Sequence, residues 1–200
     1  VQTCALPISH YGILARHATV LGENVVTNNL GKASLAINLG GNYNFNHCTF
    51  SNYGTAGNTT SIVMDNGDGS SQFALTQANF TNSIIYGSAT YALSFAKEGN
   101  TNFNFNFQNN LIRFSDYGQY SNNVLYPLAN TTDYVNNVIS KSNNKTPKFK
   151  NAQKNELIIG DDSHANAIGG NFSHSGFDIL GNPRPTTTPD AGAYNHTIFE

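Results

Sequence analysis

Charge is what this chain has least of. Asp, Glu, Lys and Arg make up 11% of its 200 residues, against about 25% in an average globular domain. The formal net charge of −2 exerts no general pull on nucleic acid or on an anionic membrane. No apolar run approaches the roughly 20 residues needed to span a bilayer, so no membrane insertion is expected. Cysteines are limited to Cys4 and Cys48, which excludes the disulfide framework of small secreted domains. Tryptophan is absent and methionine occurs once. Helical periodicity is missing as well. Asn, Ser and Thr fill the space that charges would occupy, and their side chains compete for backbone hydrogen bonds and favour turns.

What the chain has instead is asparagine, about thirty of them, placed with a period. Short apolar clusters each end in Asn or Gly, the pattern of short strands with turn punctuation. Asn82-Ser-Ile-Ile-Tyr, Asn109-Asn-Leu-Ile-Arg and Asn136-Asn-Val-Ile-Ser are spaced 27 residues apart, then 27 again. Asn24-Val-Val-Thr-Asn-Asn-Leu-Gly aligns with His47-Cys-Thr-Phe-Ser-Asn-Tyr-Gly at an offset of 23. A period of this length built from strands predicts a β-solenoid. In NYNFNHCTFSNY and NFNFNFQNNLI the alternation points Phe45, Phe103, Phe105 and Phe107 inward and Asn44, Asn104 and Asn106 outward. Phe45 and Phe50 can both face the core only if the chain corners between them, near His47 and Cys48. Gly54 to Asn58 and Asp65 to Ser71 are expected loops around a strand at Ser61 to Met64. Leu39-Gly-Gly reads as a turn.

The first eight residues stand apart. VQTCALPI back-translates without strain into the end of a common short-read sequencing adapter. Residues 1–8, Cys4 among them, are therefore expected to be non-native, with 9–200 forming a single domain from a longer protein.

Three stretches, GILARHATVLGENVVTNN with INLGGNYNFNHCTFSNY, then FTNSIIYG, then DILGNPRPTTTPDAGAYN, resemble the right-handed parallel β-helix repeat proteins common in Bacteroidota. Members of that family end in a pattern like D-x-x-G-x-x-R…P-D-[IA]-G-A-Y-E. Asp178, Gly181, Arg184, Pro189, Asp190, Gly192, Ala193 and Tyr194 match it, and Asn195 replaces the Glu. The resemblance implies an all-β, right-handed parallel β-helix. It also implies secretion or display at the cell surface and an association with glycans, and it names no reaction. About 190 residues at a period near 25 give about seven coils, and the Pro-rich stretch from Gly181 to Tyr194 is expected to cap the open C-terminal end.

Candidate sites are few. Asp65 and Asp68 in DNGDG suggest a Ca²⁺ loop or a plain tight turn. Asp161 and Asp162, with His164, have the paired carboxylates of a polygalacturonase-like site, without that family's companion motifs. No cofactor or metal is expected; if Ca²⁺ bound, these four aspartates would hold it. The histidines lack metal-ligand spacing; His47 suits a stacked corner residue and Cys48 a small core residue. Lys141, Lys145, Lys148, Lys150 and Lys154 form a basic cluster, either a patch for an acidic polymer or a solvated loop. Asp116 to Tyr134 is rich in Tyr and Asn, and Tyr117, Tyr120, Tyr126 and Tyr134 are candidates to stack on a polysaccharide. The expected role is structural or glycan-binding and non-catalytic in this portion. The alternative is the C-terminal part of a polysaccharide lyase or glycoside hydrolase acting on acidic glycans.

Overall fold

The computed structural model describes residues 9–54, 59–116, 118–120, 122–129, 131–142, 144–171 and 176–199. Residues 1–8 lie outside that set, as do residues 55–58 of the loop expected after Tyr53. Among the described residues the chain is all-β apart from one turn of 3₁₀ helix, and its strands stack as parallel rungs. The first coil is β1 (Tyr11–Glu23) and β2 (Val26–Thr27); the second is β3 (Ala33–Asn46) and β4 (Thr49–Asn52). The third comprises β5 (Ile62–Asp65), β6 (Leu75–Thr81) and β7 (Ile84–Gly87). The fourth comprises β8 (Leu93–Ala96), β9 (Asn106–Gln108) and β10 (Leu111–Arg113). A fifth holds β11 (Tyr134–Val135) and β12 (Val138–Ser140).

The long strands β1 and β3 each cover two faces because they bend midway. His17 has φ 45°, and Leu39, Gly40 and Gly41 have φ 57°, 63° and 124°. A Cβ on Gly40 would lie 2.5 Å from the Ala74 carbonyl oxygen, so the bend requires glycine there. Beyond the bend β3 pairs with β6, and before it with β5, so one curled sheet of seven strands forms two faces. A third face is the five-strand stack β2, β4, β7, β10, β12.

The corner into this third face explains the periodic asparagines. Asn24, His47, Asn82, Asn109 and Asn136 all sit in the left-handed region, at φ 54°, 49°, 48°, 57° and 52°, where Asn is tolerated best among non-glycine residues. The next position builds a ladder between coils. Ser83 Oγ accepts the Cys48 N–H at 3.0 Å, Asn110 Oδ1 accepts the Ser83 N–H at 2.8 Å, and Asn137 Oδ1 accepts the Asn110 N–H at 2.9 Å.

Inside, Phe45, Phe80, Phe107 and Tyr134 occupy one register. Their rings stack at 5.4, 4.8 and 5.2 Å, tilted by only 19°, 4° and 9°. Phe50 meets Phe45 edge-on at 5.2 Å from the third face, as the corner at His47 requires. Cys48 is buried in this core, and burial pushes its thiol pKa up to about 12.

Both sides of the third face are covered. Every residue of β4 and β7 is buried, because the chain after β12 runs back along the outside of this face as a strap. The strap begins with an antiparallel hairpin, β13 (Phe149–Asn151) and β14 (Glu156–Ile159). Asn28 Nδ2 donates to the Ala152 carbonyl at 2.7 Å, the Gly170 N–H donates to Asn82 Oδ1 at 2.8 Å, and the Ala193 N–H donates to Thr49 Oγ1 at 3.0 Å. Arg184 Nη2 reaches Asn24 Oδ1 of the first coil at 2.9 Å.

Two expectations change here. The Pro-rich stretch is a side strap rather than an end cap. Its Ala191 and Ala193 are fully buried, and Gly192 at φ 96° lies so close that a Cβ would be 2.6 Å from Ile84 Cδ1. Small residues let the strap lie flat on the sheet. Among the described residues the third face has five rungs where about seven coils were expected, and the strap and the segment between β10 and β11 take up chain length that the period assigned to coils. That segment plugs the end of the stack: the Tyr126 hydroxyl accepts the Phe95 N–H at 2.7 Å, where a further strand would otherwise supply a carbonyl. Among the described residues, no helix is long and apolar enough to cross a membrane.

Candidate binding groove on the second face

Alternation on the second face sends aromatic rings inward, so the intervening residues must face solvent. Asn44, Asn79 and Asn106 share one register, and Glu23, Asn46, Thr81 and Gln108 share the next outward one. Together with Leu21 they line a shallow groove of about 470 Å³ running across four coils. Neighbouring rungs in such a stack lie about 4.8 Å apart, so the amides form a regular array.

The array is partly tied down. Asn46 Oδ1 accepts from Thr81 Oγ1 at 2.9 Å and from Asn82 Nδ2 at 3.3 Å. Asn106 Nδ2 donates to the Thr132 carbonyl at 2.8 Å. The side-chain amides of Asn44, Asn79 and Gln108 make no hydrogen bond to another described residue and face the groove. Each presents both a donor and an acceptor. Leu21, 79% exposed, supplies an apolar contact at one end. Among the described residues that line the groove, Glu23 has the only ionisable side chain. Such a surface can hydrogen-bond hydroxyl groups that both donate and accept, and it holds no acid–base pair.

Of the tyrosines expected to stack on a glycan, the three that are described fall elsewhere. Tyr134 is fully buried in the ring stack, with its hydroxyl donating to the Leu125 carbonyl at 2.9 Å. Tyr126 is 9% exposed and stacks on Phe95 at 5.1 Å. Burial raises the pKa of both hydroxyls. Tyr120 packs edge-on against Tyr91, Phe114 and Tyr126. Tyr120 and Tyr126 build the end plug; Tyr117 lies outside the described residues.

The aspartates do not converge. Asp65 Oδ1 accepts the Leu39 N–H at 2.8 Å and its Oδ2 accepts the Asn38 amide, which ties down the bend in β3. Asp68 accepts from the N–H groups of Ser70 and Ser71 and from the Ser70 hydroxyl, closing a turn; these donors, the hydroxyl first, lower its pKa. Arg16 faces Asp68 at 3.2 Å. Asp162 pairs with Lys148 at 3.2 Å, and His164 Nδ1 accepts the Thr146 N–H at 3.3 Å. No group of three His, Cys, Asp or Glu side chains suited to a metal occurs among the described residues. His47 is a buried corner residue, its Nε2 3.1 Å from Asn82 Nδ2.

Sequence alternation pointed Asn44 and Asn106 outward, but Asn79, Thr81 and Gln108 were not linked to them. The available signal was the alignment of NFNHC, NFTNS and NFQNN, each with one aromatic ring two residues before the corner. Comparison of the chain with protein-family models, curated proteins and solved structures gives no match.

Proposed function

We propose that this chain is part of a right-handed parallel β-helix protein, secreted or displayed at the cell surface, that binds a neutral polysaccharide along its second face. The observation that carries the proposal is the set of groove amides from Asn44 and Asn79 in one register and Gln108 in the next, which make no hydrogen bond to another described residue. A polymer of hydroxyl-bearing sugars matches these amides better than a charged chain does, since each amide both donates and accepts. The role is binding rather than catalysis in this portion, because the described residues that line the groove include no second carboxylate or base for glycosyl transfer. Right-handed coiling is supported by the strong preference of parallel β-crossovers for that hand.

Titration of the full chain with neutral oligosaccharides, followed by NMR, tests the proposal. Replacing Asn44, Asn79 and Gln108 together by Ala should weaken binding about tenfold or more while leaving the thermal midpoint unchanged. Equal affinity in the triple variant would overturn the assignment.

A further inference from the structure

Outward positions on the second face repeat in two directions with different intervals. Along a strand, successive outward residues such as Asn44 and Asn46 stand about 6.7 Å apart, twice the rise per residue. Across the strands, Asn44, Asn79 and Asn106 repeat at the rung spacing of about 4.8 Å. The groove follows this second direction. It lies between the register of Asn44, Asn79 and Asn106 and that of Asn46, Thr81 and Gln108. Another register, Thr19, Asn42 and Gln77, runs alongside on the same face and does not line the groove. The groove amides without a partner among the described residues come from three successive rungs: Asn44 on the second coil, Asn79 on the third and Gln108 on the fourth.

We infer, on the reading of this groove as a neutral-polysaccharide site, that it takes an extended, β-linked pyranose chain. The chain lies along the solenoid axis with one sugar on each rung. A pyranose joined through equatorial bonds at both ends advances the chain by nearly its own length, which is close to the rung spacing of about 4.8 Å. Successive sugars of such a chain turn opposite edges toward the protein. An amide that both donates and accepts can meet either edge. An α-1,4-linked chain curves instead, so its hydroxyls leave a straight row of amides after a short run. A chain laid along one strand would meet the longer interval, out of step with its sugars. The groove crosses four coils, so four sugars fill it and two cannot reach all three free amides.

The test titrates the full chain with cello-oligosaccharides of two to six sugars and with maltohexaose, followed through side-chain amide resonances. Cellotetraose should shift the amides of Asn44, Asn79 and Gln108 together, and those of Asn42 and Gln77 less. Affinity should rise about tenfold or more from cellobiose to cellotetraose, then change by about twofold or less up to cellohexaose. Maltohexaose should bind about tenfold more weakly than cellohexaose. Asn79→Ala should weaken cellotetraose binding about threefold or more. The paired change Asn42→Ala and Gln77→Ala, outside the groove, should alter it by about twofold or less. Shifts confined to one rung, with Gln77 and Asn79 moving while Asn44 and Gln108 stay still, would overturn the inference. So would an affinity indifferent to chain length, or maltohexaose matching cellohexaose; each of these leaves a neutral-sugar groove in place. Binding of neither sugar would overturn both the inference and the groove assignment.

Discussion

Single asparagines decide how this chain turns, and they do so in two adjacent positions with different physics. At the corner, Asn82, Asn109 and Asn136 accept a left-handed backbone that most side chains resist. One residue later, Asn110 uses its amide as a spacer between coils. Its Oδ1 takes the Ser83 N–H, and its Nδ2 donates to the Phe80 carbonyl at 2.9 Å and to Asn137 Oδ1 at 3.0 Å. Asn110 is fully buried, so truncation leaves those partners without water to replace it. Asn110→Ala should cost about 2–4 kcal/mol, measured by urea unfolding. The solvent-facing Asn79→Ala should cost about 0.5 kcal/mol or less. Equal losses at both sites would show that the ladder contributes nothing special.

At the scale of elements, the plug and the strap carry the next two tests. Tyr126→Phe keeps the ring stacked on Phe95 but removes the acceptor of the Phe95 N–H, and should lower stability by about 1–3 kcal/mol. In the strap, burial of Asp178 opposes its charge. The N–H groups of Asn195, Asn182 and Leu180 and the Asn182 amide outweigh it, holding the carboxyl below the usual range. A depressed folded pKa stabilises the protein fully above the unfolded value of about 3.9, and this contribution is lost as pH falls through the folded value. Asp178→Asn should therefore be less stable than the parent at pH 7, and the gap should close on acidification. A gap independent of pH would remove the charge from the account. The coils were legible because parity and spacing are carried by residue type: Phe45 and Phe50 forced a corner, and the 27-residue interval fixed where it recurs. The plug was not legible in the same way. Tyr120 and Tyr126 have a composition that serves an exposed stacking surface and a buried plug equally, and only the contacts to Phe95 and Phe114 separate the two. The strap was misplaced for a related reason. Proline tells where a ladder stops, not where the chain goes next, and the clue lay in Ala191-Gly192-Ala193, three small residues in a row.

Across the whole molecule, the strap joins coils that the stacking alone would leave as neighbours only. Repeat stacks without such a tie behave as sums of local terms and can melt from an end. Here Arg184, Asn24, Thr49 and Asn82 connect the strap to the first three coils, which predicts one cooperative transition. Gly192→Ala tests this tie. It combines a strained φ with a Cβ driven into Ile84, so it should cost about 2–4 kcal/mol and lower a single calorimetric peak. A separate early peak would show the strap melting on its own. The same long reach sets an order in time. The bonds from Asn24 to Phe177 and from Arg184 to Asn24 join residues 153 and 160 positions apart. During synthesis the coil that holds Asn24 emerges long before Phe177 and Arg184, so it stays uncovered on that side until the strap has been made.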